Sequence, residues 1–222
     1  MKLSVIIPAR DEERSIGATV REIVGALEKE GIDFEIVVVD DGSRDGTAQE
    51  VKKLATKHAG VILVPGAQRP GYGMAVRAGL AACRGDAVAI MMADGSDSAE
   101  DLVRCWRALL DGADCVFGSR FIPGGRAIDY PLHKLILNRL ANTFIRVLFG
   151  LRYNDITNAF KCYRRNVLEG IQPLISPHFN LTVEMPLKAI VRGYSYSVIP
   201  ISWRNRQHGI SKLKVKEMGS RY

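Results

Sequence analysis

The chain predicts an α/β fold, a mainly parallel twisted sheet flanked by helices, on three observations. Runs of β-branched residues alternate with stretches of helical period across residues 1–120. The strand-like runs are apolar throughout, as strands covered on both faces are. Three of them end in acidic turns: Val5-Ile6-Ile7-Pro8-Ala9-Arg10-Asp11-Glu12, Val37-Val38-Val39-Asp40-Asp41-Gly42-Ser43 and Val88-Ala89-Ile90-Met91-Met92-Ala93-Asp94-Gly95-Ser96-Asp97. In open α/β sheets the carboxyl edge of the strands is where ligands bind, so carboxylates gathered there require a chemical reason.

Taken in order, residues 3–8 read as the first strand and 15–29 as a helix with Ile16, Val20, Ile23, Val24 and Leu27 on one face. Strand 34–39, helix 44–58, strand 61–64, Ala-rich helix 72–83, strand 86–92, helix 99–110 and strand 114–117 follow. Helices of that length between strands imply right-handed crossovers and a parallel sheet. Pro123-Gly124-Gly125 then breaks the pattern. Beyond it come a long helix (131–149), a strand (158–164), a helix (179–192) interrupted by Pro186, and an alternating, exposed strand (194–201). No linker rich in Gly, Ser or Pro separates independent units, so residues 1–222 are expected to form one domain. Residues 1–120 would be its nucleotide-sugar-binding half and 121–222 its acceptor-binding half.

Charge follows the same division. The net charge is +7, but residues 1–120 carry 15 Lys/Arg against 19 Asp/Glu (net −4) and residues 121–222 carry 16 against 5 (net +11). A basic half suits phosphates, a nucleic acid or an anionic membrane surface. The basic stretches lack interleaved aromatic residues, which argues against nucleic acid. Cys83, Cys105, Cys115 and Cys162 form no CxxC pair, which argues against zinc and a disulfide framework and for a reducing, cytoplasmic setting. Residues 1–8 read as a strand, not as a signal peptide, and no run reaches the roughly 20 apolar residues of a membrane span.

Asp40 and Asp41, just past a strand, are placed to accept hydrogen bonds from a nucleobase or ribose. The alternative is an Asx turn bonding nearby backbone. Asp94-Gly95-Ser96-Asp97 is a candidate metal site: Mg²⁺ or Mn²⁺ on oxygen ligands would neutralise a departing diphosphate, with Asp94 first and Ser96 or Asp97 assisting. Its alternative is a solvated loop that caps the helix at Ala99 through Ser98 and Glu100. Gly71-Tyr72-Gly73-Met74-Ala75 is not a GxGxxG: Val76 stands where the last glycine belongs, and the motif follows the third strand, not the first. That argues against a Rossmann dehydrogenase and leaves two readings, a tight turn whose N–H groups lie near a sugar nucleotide or a plain turn before a helix. A nucleotidyltransferase would show a glycine-rich basic loop after the first strand, where Ala9-Arg10-Asp11-Glu12 stands. No Ser/His/Asp or Cys/His constellation is present; His58, His133, His178 and His208 are isolated.

Together these segments resemble glycosyltransferase family 2 enzymes of the GT-A (Rossmann-like) fold, in particular the dolichol-phosphate mannosyltransferase-like branch. The resemblance continues through Asp45-Gly46-Thr47, Gly118-Ser119-Arg120-Phe121, Asp155-Ile156-Thr157-Asn158-Ala159-Phe160-Lys161 and Arg206-Gln207-His208-Gly209-Ile210-Ser211-Lys212. It implies that Pro8, Arg10, Glu12, Val39 and Asp41 line the nucleotide site, that Ala93 and Asp94 meet the diphosphate and metal, and that Ser96 provides a further metal contact. It also implies that Arg120, Arg206 and Lys212 hold phosphates, the last two from a loop that closes over the donor. The family's Asp-x-Asp has an acidic residue two positions before Asp94. Here Met92 stands there, which shifts the metal onto Asp94 with Ser96, Asp97 or the diphosphate itself.

The expected reaction is inverting transfer of a hexose from a UDP- or GDP-sugar to a polyprenyl (dolichyl or undecaprenyl) phosphate, with Asp94 and Arg120 as the catalytic pair. Helix 131–149 carries Lys134, Asn138, Asn142 and Arg146 on one face and Leu132, Ile136, Leu140, Phe144, Val147 and Leu148 on another. Such an amphipathic helix suits the cytoplasmic face of a membrane, where Arg139 and Arg120 would reach the acceptor phosphate and Arg164-Arg165 and residues 212–216 anionic head groups. Its alternative is a surface helix packed on the sheet. A phosphate monoester, with a second pKa of about 6, attacks without a general base. A hydroxyl acceptor would instead need one, from Asp97, Asp129 or Asp155. A non-catalytic basic adaptor at a membrane or nucleic acid would show salt-sensitive binding and no affinity for nucleotide sugars.

Overall fold

In the computed structural model, which describes residues 1–206, the polypeptide forms a seven-stranded sheet of order β3-β2-β1-β4-β7-β5-β8. Its strands are β1 (Leu3–Ala9), β2 (Phe34–Asp40), β3 (Val61–Pro65), β4 (Ala87–Ile90), β5 (Cys115–Ser119), β7 (Lys161–Arg164) and β8 (Tyr196–Pro200). A separate pair, β6 (Arg126–Ile128) and β9 (Ser202–Arg204), runs parallel beside it. The helices are α1 (Glu13–Lys29), α2 (Thr47–Ala55), α3 (Tyr72–Ala82), α4 (Ala99–Leu110), α5 (Leu132–Leu148), α6 (Arg165–Gly170) and α7 (Leu181–Val191). Lys212, His208 and the basic stretch 212–216 lie outside the described residues.

Two cores follow from the pleat, because successive strand residues point to opposite faces. Leu3, Val5, Ile7 and Ala9 of β1, Ile36 and Val38 of β2, and Ala87 and Ala89 of β4 pack with the apolar faces of α1, α2 and α4. Ile6, Val37, Val39, Val88 and Ile90 face the other way, onto α3 and α7. Covered on both sides, these strands bury nearly every residue, which is why their sequences are apolar without alternation.

Six of the seven strands are parallel to their neighbours of like direction, and β7 alone runs antiparallel, between β4 and β5. The chain leaves the sheet at Ser119, makes an excursion through β6 and α5, and re-enters at the same edge at Lys161, beside Ile90 and Phe117, which is why β7 runs antiparallel. The β1–β4 junction is where strand order reverses, and the crevice beyond these carboxyl ends is the site such sheets offer.

Periodicity separated the two faces of α5 but not their direction. Asn142 is buried, and its side-chain amide donates to Thr157 Oγ1 (2.9 Å) while Asn138 does the same (3.0 Å). Leu132, Leu140, Phe144 and Val147, between 63% and 72% exposed, point away from the protein. Asn138 and Asn142 of the polar face pack inward, Arg146 is exposed, and these apolar residues are left outward. No described helix is long and apolar enough to cross a membrane.

Candidate active site at the carboxyl edge of the sheet

The tips of β2, β1 and β4 lie side by side, roughly 10 Å across at the usual strand spacing. Main chain and short polar side chains lace them together. Asp11 donates its N–H to Ser43 Oγ (3.0 Å), Glu12 donates its N–H to Thr47 Oγ1 (2.8 Å), and Arg44 N–H reaches Asp11 Oδ1 (2.7 Å). Asp11 has φ 49°, a left-handed conformation that aspartate tolerates better than bulkier residues.

The Asx turn forms at Asp40, whose Oδ1 accepts the N–H of Ser43 (3.0 Å). Asp41 points instead to the start of α3, where both carboxylate oxygens receive the N–H of Gly71 (3.0 and 2.9 Å). One N–H of the Gly71-Tyr72-Gly73 turn is thus committed to Asp41. The turn also needs its glycines for space: a Cβ on Gly73 would stand 2.2 Å from the carbonyl oxygen of Ser176.

Beyond β4, Asp94 Oδ1 accepts the N–H of Ser96 (3.1 Å) and Oδ2 pairs with Arg206 Nη2 (2.7 Å). The other nitrogen, Nη1, lies 3.4 Å from Glu12 Oε1, so one guanidinium bridges the β1 and β4 tips. Glu12 is further held by Ser15 Oγ, which donates to Oε2 (2.9 Å). Among the described residues no three His, Cys, Asp or Glu side chains converge on a metal position. The donor set nevertheless fits a hard cation of the Mg²⁺ or Mn²⁺ kind, since a guanidinium already sits between two carboxylates and such ions take one or two carboxylates, with water and phosphate oxygens completing the shell.

Asp97, three residues beyond Asp94, bonds to main chain. Its Oδ2 accepts the main-chain N–H of Met92 (2.9 Å). Its residue makes a bridge to Trp203. Burial pushes its pKa up to about 7; the Met92 N–H and Arg120 oppose the rise, and Asp94 and Asp101 add to it. Asp97 Oδ1 and Tyr72 Oη are buried without a hydrogen-bond partner among the described residues, and burial together with Asp97 raises the Tyr72 hydroxyl pKa. Ser98, as the capping alternative required, accepts the N–H of Glu100 (3.2 Å) at the start of α4.

Arg120 is anchored by Asp155, which accepts its main-chain N–H (3.0 Å), Nε (2.8 Å) and Nη2 (2.7 Å) in a fully buried pair. Burial works against that charge, and Asp155 more than restores it, leaving the guanidinium protonated throughout the accessible pH range. Its Cζ lies 5.1, 5.4 and 5.6 Å from the ring centres of Phe121, Tyr130 and Trp203, within cation–π range. Arg139 lies 4.4 Å from the same Phe121 ring and donates to the Asn154 carbonyl (3.1 Å). Phe121 therefore brings Arg120 and Arg139 together, and Trp203 links this basic cluster to Asp97 and the β4 tip. Below them Lys161, fully buried, donates to the carbonyls of Ile156 and Asn158, and burial lowers its pKa to about 7.

The remaining expected positions divide by depth. Arg10 is exposed and Pro8 half-buried at the β1 tip, whereas Val39 and Ala93 lie buried beneath the crevice, Ala93 offering its carbonyl to Thr19 Oγ1 (3.2 Å). The aromatic box of Tyr130 and Trp203 and the lacing by Ser43 and Thr47 were not foreseen as site features. Tyr130 and Trp203 are too far apart in sequence for any local spacing to pair them, but hydroxyl residues just after an acidic turn are a usable signal.

The sequence profile of Glycosyl transferase family 2 matches residues 4–172. A curated relative from Mycolicibacterium smegmatis, "Polyprenol monophosphomannose synthase", is 36% identical over 94% of this chain and 80% of its own length. "Dolichol-phosphate mannosyltransferase" of Pyrococcus furiosus is 31% identical over 97% of this chain, which spans 60% of that longer protein. Among solved structures, glucosyl-3-phosphoglycerate synthase from Mycobacterium tuberculosis, in complex with Mn²⁺, uridine diphosphate and glucosyl-3-phosphoglycerate, superimposes with a TM-score of 0.74 at 20% identity, covering 98% of this chain and 75% of that one. At that identity the likeness is one of fold.

Proposed function

The chain belongs to glycosyl transferase family 2, in its dolichol-phosphate mannosyltransferase-like branch, and we propose that it moves a hexose from a nucleotide diphosphate sugar to a polyprenyl phosphate at a membrane surface. The observation that carries this reading is the pairing of Glu12 and Asp94 around one cation at the switch-point crevice, with a second, basic cluster joined to it through Trp203. A donor diphosphate suits the first and an anionic acceptor the second. The names of the two curated relatives favour mannose as the sugar and a polyprenol lipid as the acceptor.

In this reading Pro8, Arg10 and Glu12, with Asp41 behind them, bound the nucleotide, while Val39 and Ala93 form its floor. Asp94 would hold Mg²⁺ or Mn²⁺ with Ser96 alongside, and the ion would supply neutralisation of charge on the departing diphosphate. Asp97 sets the shape of the β4 tip through Met92. Arg206, joined by Lys212, contacts the donor phosphates. Arg120 and Arg139 place the acceptor phosphate: Arg139 meets it, and Arg120, fixed by Asp155, orients the Phe121 platform.

A lipid phosphate is already anionic near neutrality, so its oxygen attacks the anomeric carbon without a proton-accepting side chain. Attack opposite the leaving group inverts the configuration, and this protein contributes positioning and electrostatic stabilisation. Asp155, one candidate base for a hydroxyl acceptor, is fully buried and committed to Arg120, which favours the phosphate acceptor. The outward apolar face of α5 supports membrane placement, and Arg139 on that helix brings a cation to the same surface.

A thermal-shift panel of UDP-, GDP-, CDP- and dTDP-sugars with and without Mn²⁺ identifies the donor, because a ligand that binds only the native state raises its stability. Transfer of the labelled sugar is then compared between polyprenyl phosphate and soluble sugar acceptors. Asp94→Asn should fold normally and lose activity by orders of magnitude. Turnover at the wild-type rate in that variant, or transfer to soluble sugars alone, would overturn the assignment.

A further inference from the structure

The donor crevice carries a cation of its own. Arg206 Nη2 stands 2.7 Å from Asp94 Oδ2 and Nη1 3.4 Å from Glu12 Oε1, and these carboxylate side chains are only 6% and 11% exposed. Ionised carboxylates that dry need a counter-charge, and the guanidinium supplies it. A divalent ion on Asp94 competes for the same oxygen, and a cation of charge +2 a few ångströms from a guanidinium is repelled by it. The two cannot share Asp94 without cost.

The main chain leading to Arg206 is fixed. Arg204 donates its N–H to the Ser96 carbonyl (3.0 Å) and Asn205 to the Ile128 carbonyl (3.0 Å), so β9 is tied to both the β4 tip and β6. Arg206 follows these anchors directly, and its long side chain can turn from carboxylate to phosphate while β9 stays in place. A diphosphate offers the guanidinium a bidentate partner at least as good as the one it leaves.

We infer that Arg206 is a stand-in cation for the metal site: it occupies Asp94 and Glu12 in the empty enzyme and is exchanged for the divalent ion when a nucleoside diphosphate arrives. Metal and nucleotide then bind together and each strengthens the other, because coupling of this kind is reciprocal. The inference rests on the donor-site assignment proposed above and concerns the order in which that site fills.

The test reads metal directly, from the electron paramagnetic resonance signal of free Mn²⁺, and needs no turnover. Wild-type protein alone should bind Mn²⁺ weakly, and with GDP or UDP tightly. Arg206→Ala alone should bind Mn²⁺ more tightly than wild type alone by on the order of tenfold, the worth of one hydrogen bond to a charged group. Arg206→Lys, which keeps a cation in place, should stay near wild type, and Asp94→Asn should not bind in any condition. Arg206→Gln repeats the comparison should the alanine variant fail to fold, as judged by circular dichroism. Unchanged or weaker nucleotide-free affinity in the neutral variants, with tight binding in wild type plus nucleotide, overturns the exchange and leaves the donor site standing. Mn²⁺ bound by no protein, with or without nucleotide, overturns both.

Discussion

Asp97 is bonded to the main chain of Met92, the residue that stands where the family pattern has an acidic side chain two positions before Asp94. Its folded pKa, about 7, lies above the ordinary value of 3.8 because burial penalises the charge. Between those values the folded state keeps a proton that the unfolded chain releases. Stability therefore falls as pH rises from about 4 to about 7, at up to roughly 1.4 kcal/mol per unit, and is flat above. Asp97→Asn retains an acceptor for the Met92 N–H and cannot ionise. Its melting temperature should gain on wild type steadily from pH 4 to 7 and hold that lead at pH 8; parallel curves would show that Asp97 is not perturbed. The Arg120–Asp155 pair poses a second residue-level test. Asp155→Ala strands a buried guanidinium and should cost about 3–5 kcal/mol in urea unfolding, whereas the double change Arg120→Met with Asp155→Leu should cost clearly less, since no lone charge remains. Additive losses would refute the pairing as the source of the penalty.

Individual elements were legible where one physical signal dominates. Strand β1 and helix α4 are read almost to the residue, because an apolar run bounded by an acidic turn and a Ser98 cap leave little choice. Helix α2 is shorter than its expected 44–58, since Ser43, Asp45 and Thr47 hold the entry as a polar knot tied to β1. The antiparallel course of β7 depends on where the chain re-enters the sheet, and three-residue strands such as β6 and β9 carry too few residues for any period. Helix α5 shows the same limit in energetic form. Its two faces are visible in the sequence, yet Thr157, fifteen residues from Asn142, decides which face packs. Leu140→Asn with Phe144→Asn should leave the unfolding free energy within about 0.5 kcal/mol of wild type, because both side chains are exposed. The same pair should sharply lower co-sedimentation with liposomes. A loss of stability instead would mean that these residues pack against the protein.

At the scale of the molecule, the site was legible as chemistry but not as geometry. Acidic strand ends identified Asp41 and Asp94 as the groups to watch, and the family resemblance added Arg120 and Arg139. That Asp41 would turn to the Gly71 N–H, that Arg206 would bridge Glu12 and Asp94, and that Phe121 would gather two guanidinium groups depend on contacts between distant segments, which no local spacing encodes. The division of charge, net −4 in residues 1–120 and +11 in 121–222, then combines with the outward face of α5 into one expectation about membranes. Cationic groups bind anionic lipid through a field that fades over about 8 Å at physiological ionic strength and over less at high salt, whereas burial of Leu132, Leu140, Phe144 and Val147 is insensitive to added salt on that scale. Binding to phosphatidylglycerol vesicles should therefore weaken as NaCl rises but level off at a residual that the Leu140/Phe144 double variant lacks. The variant should keep the salt-sensitive part. If high salt removes wild-type binding as completely as it does the variant's, the apolar face of α5 does not enter the bilayer and the attraction is electrostatic alone.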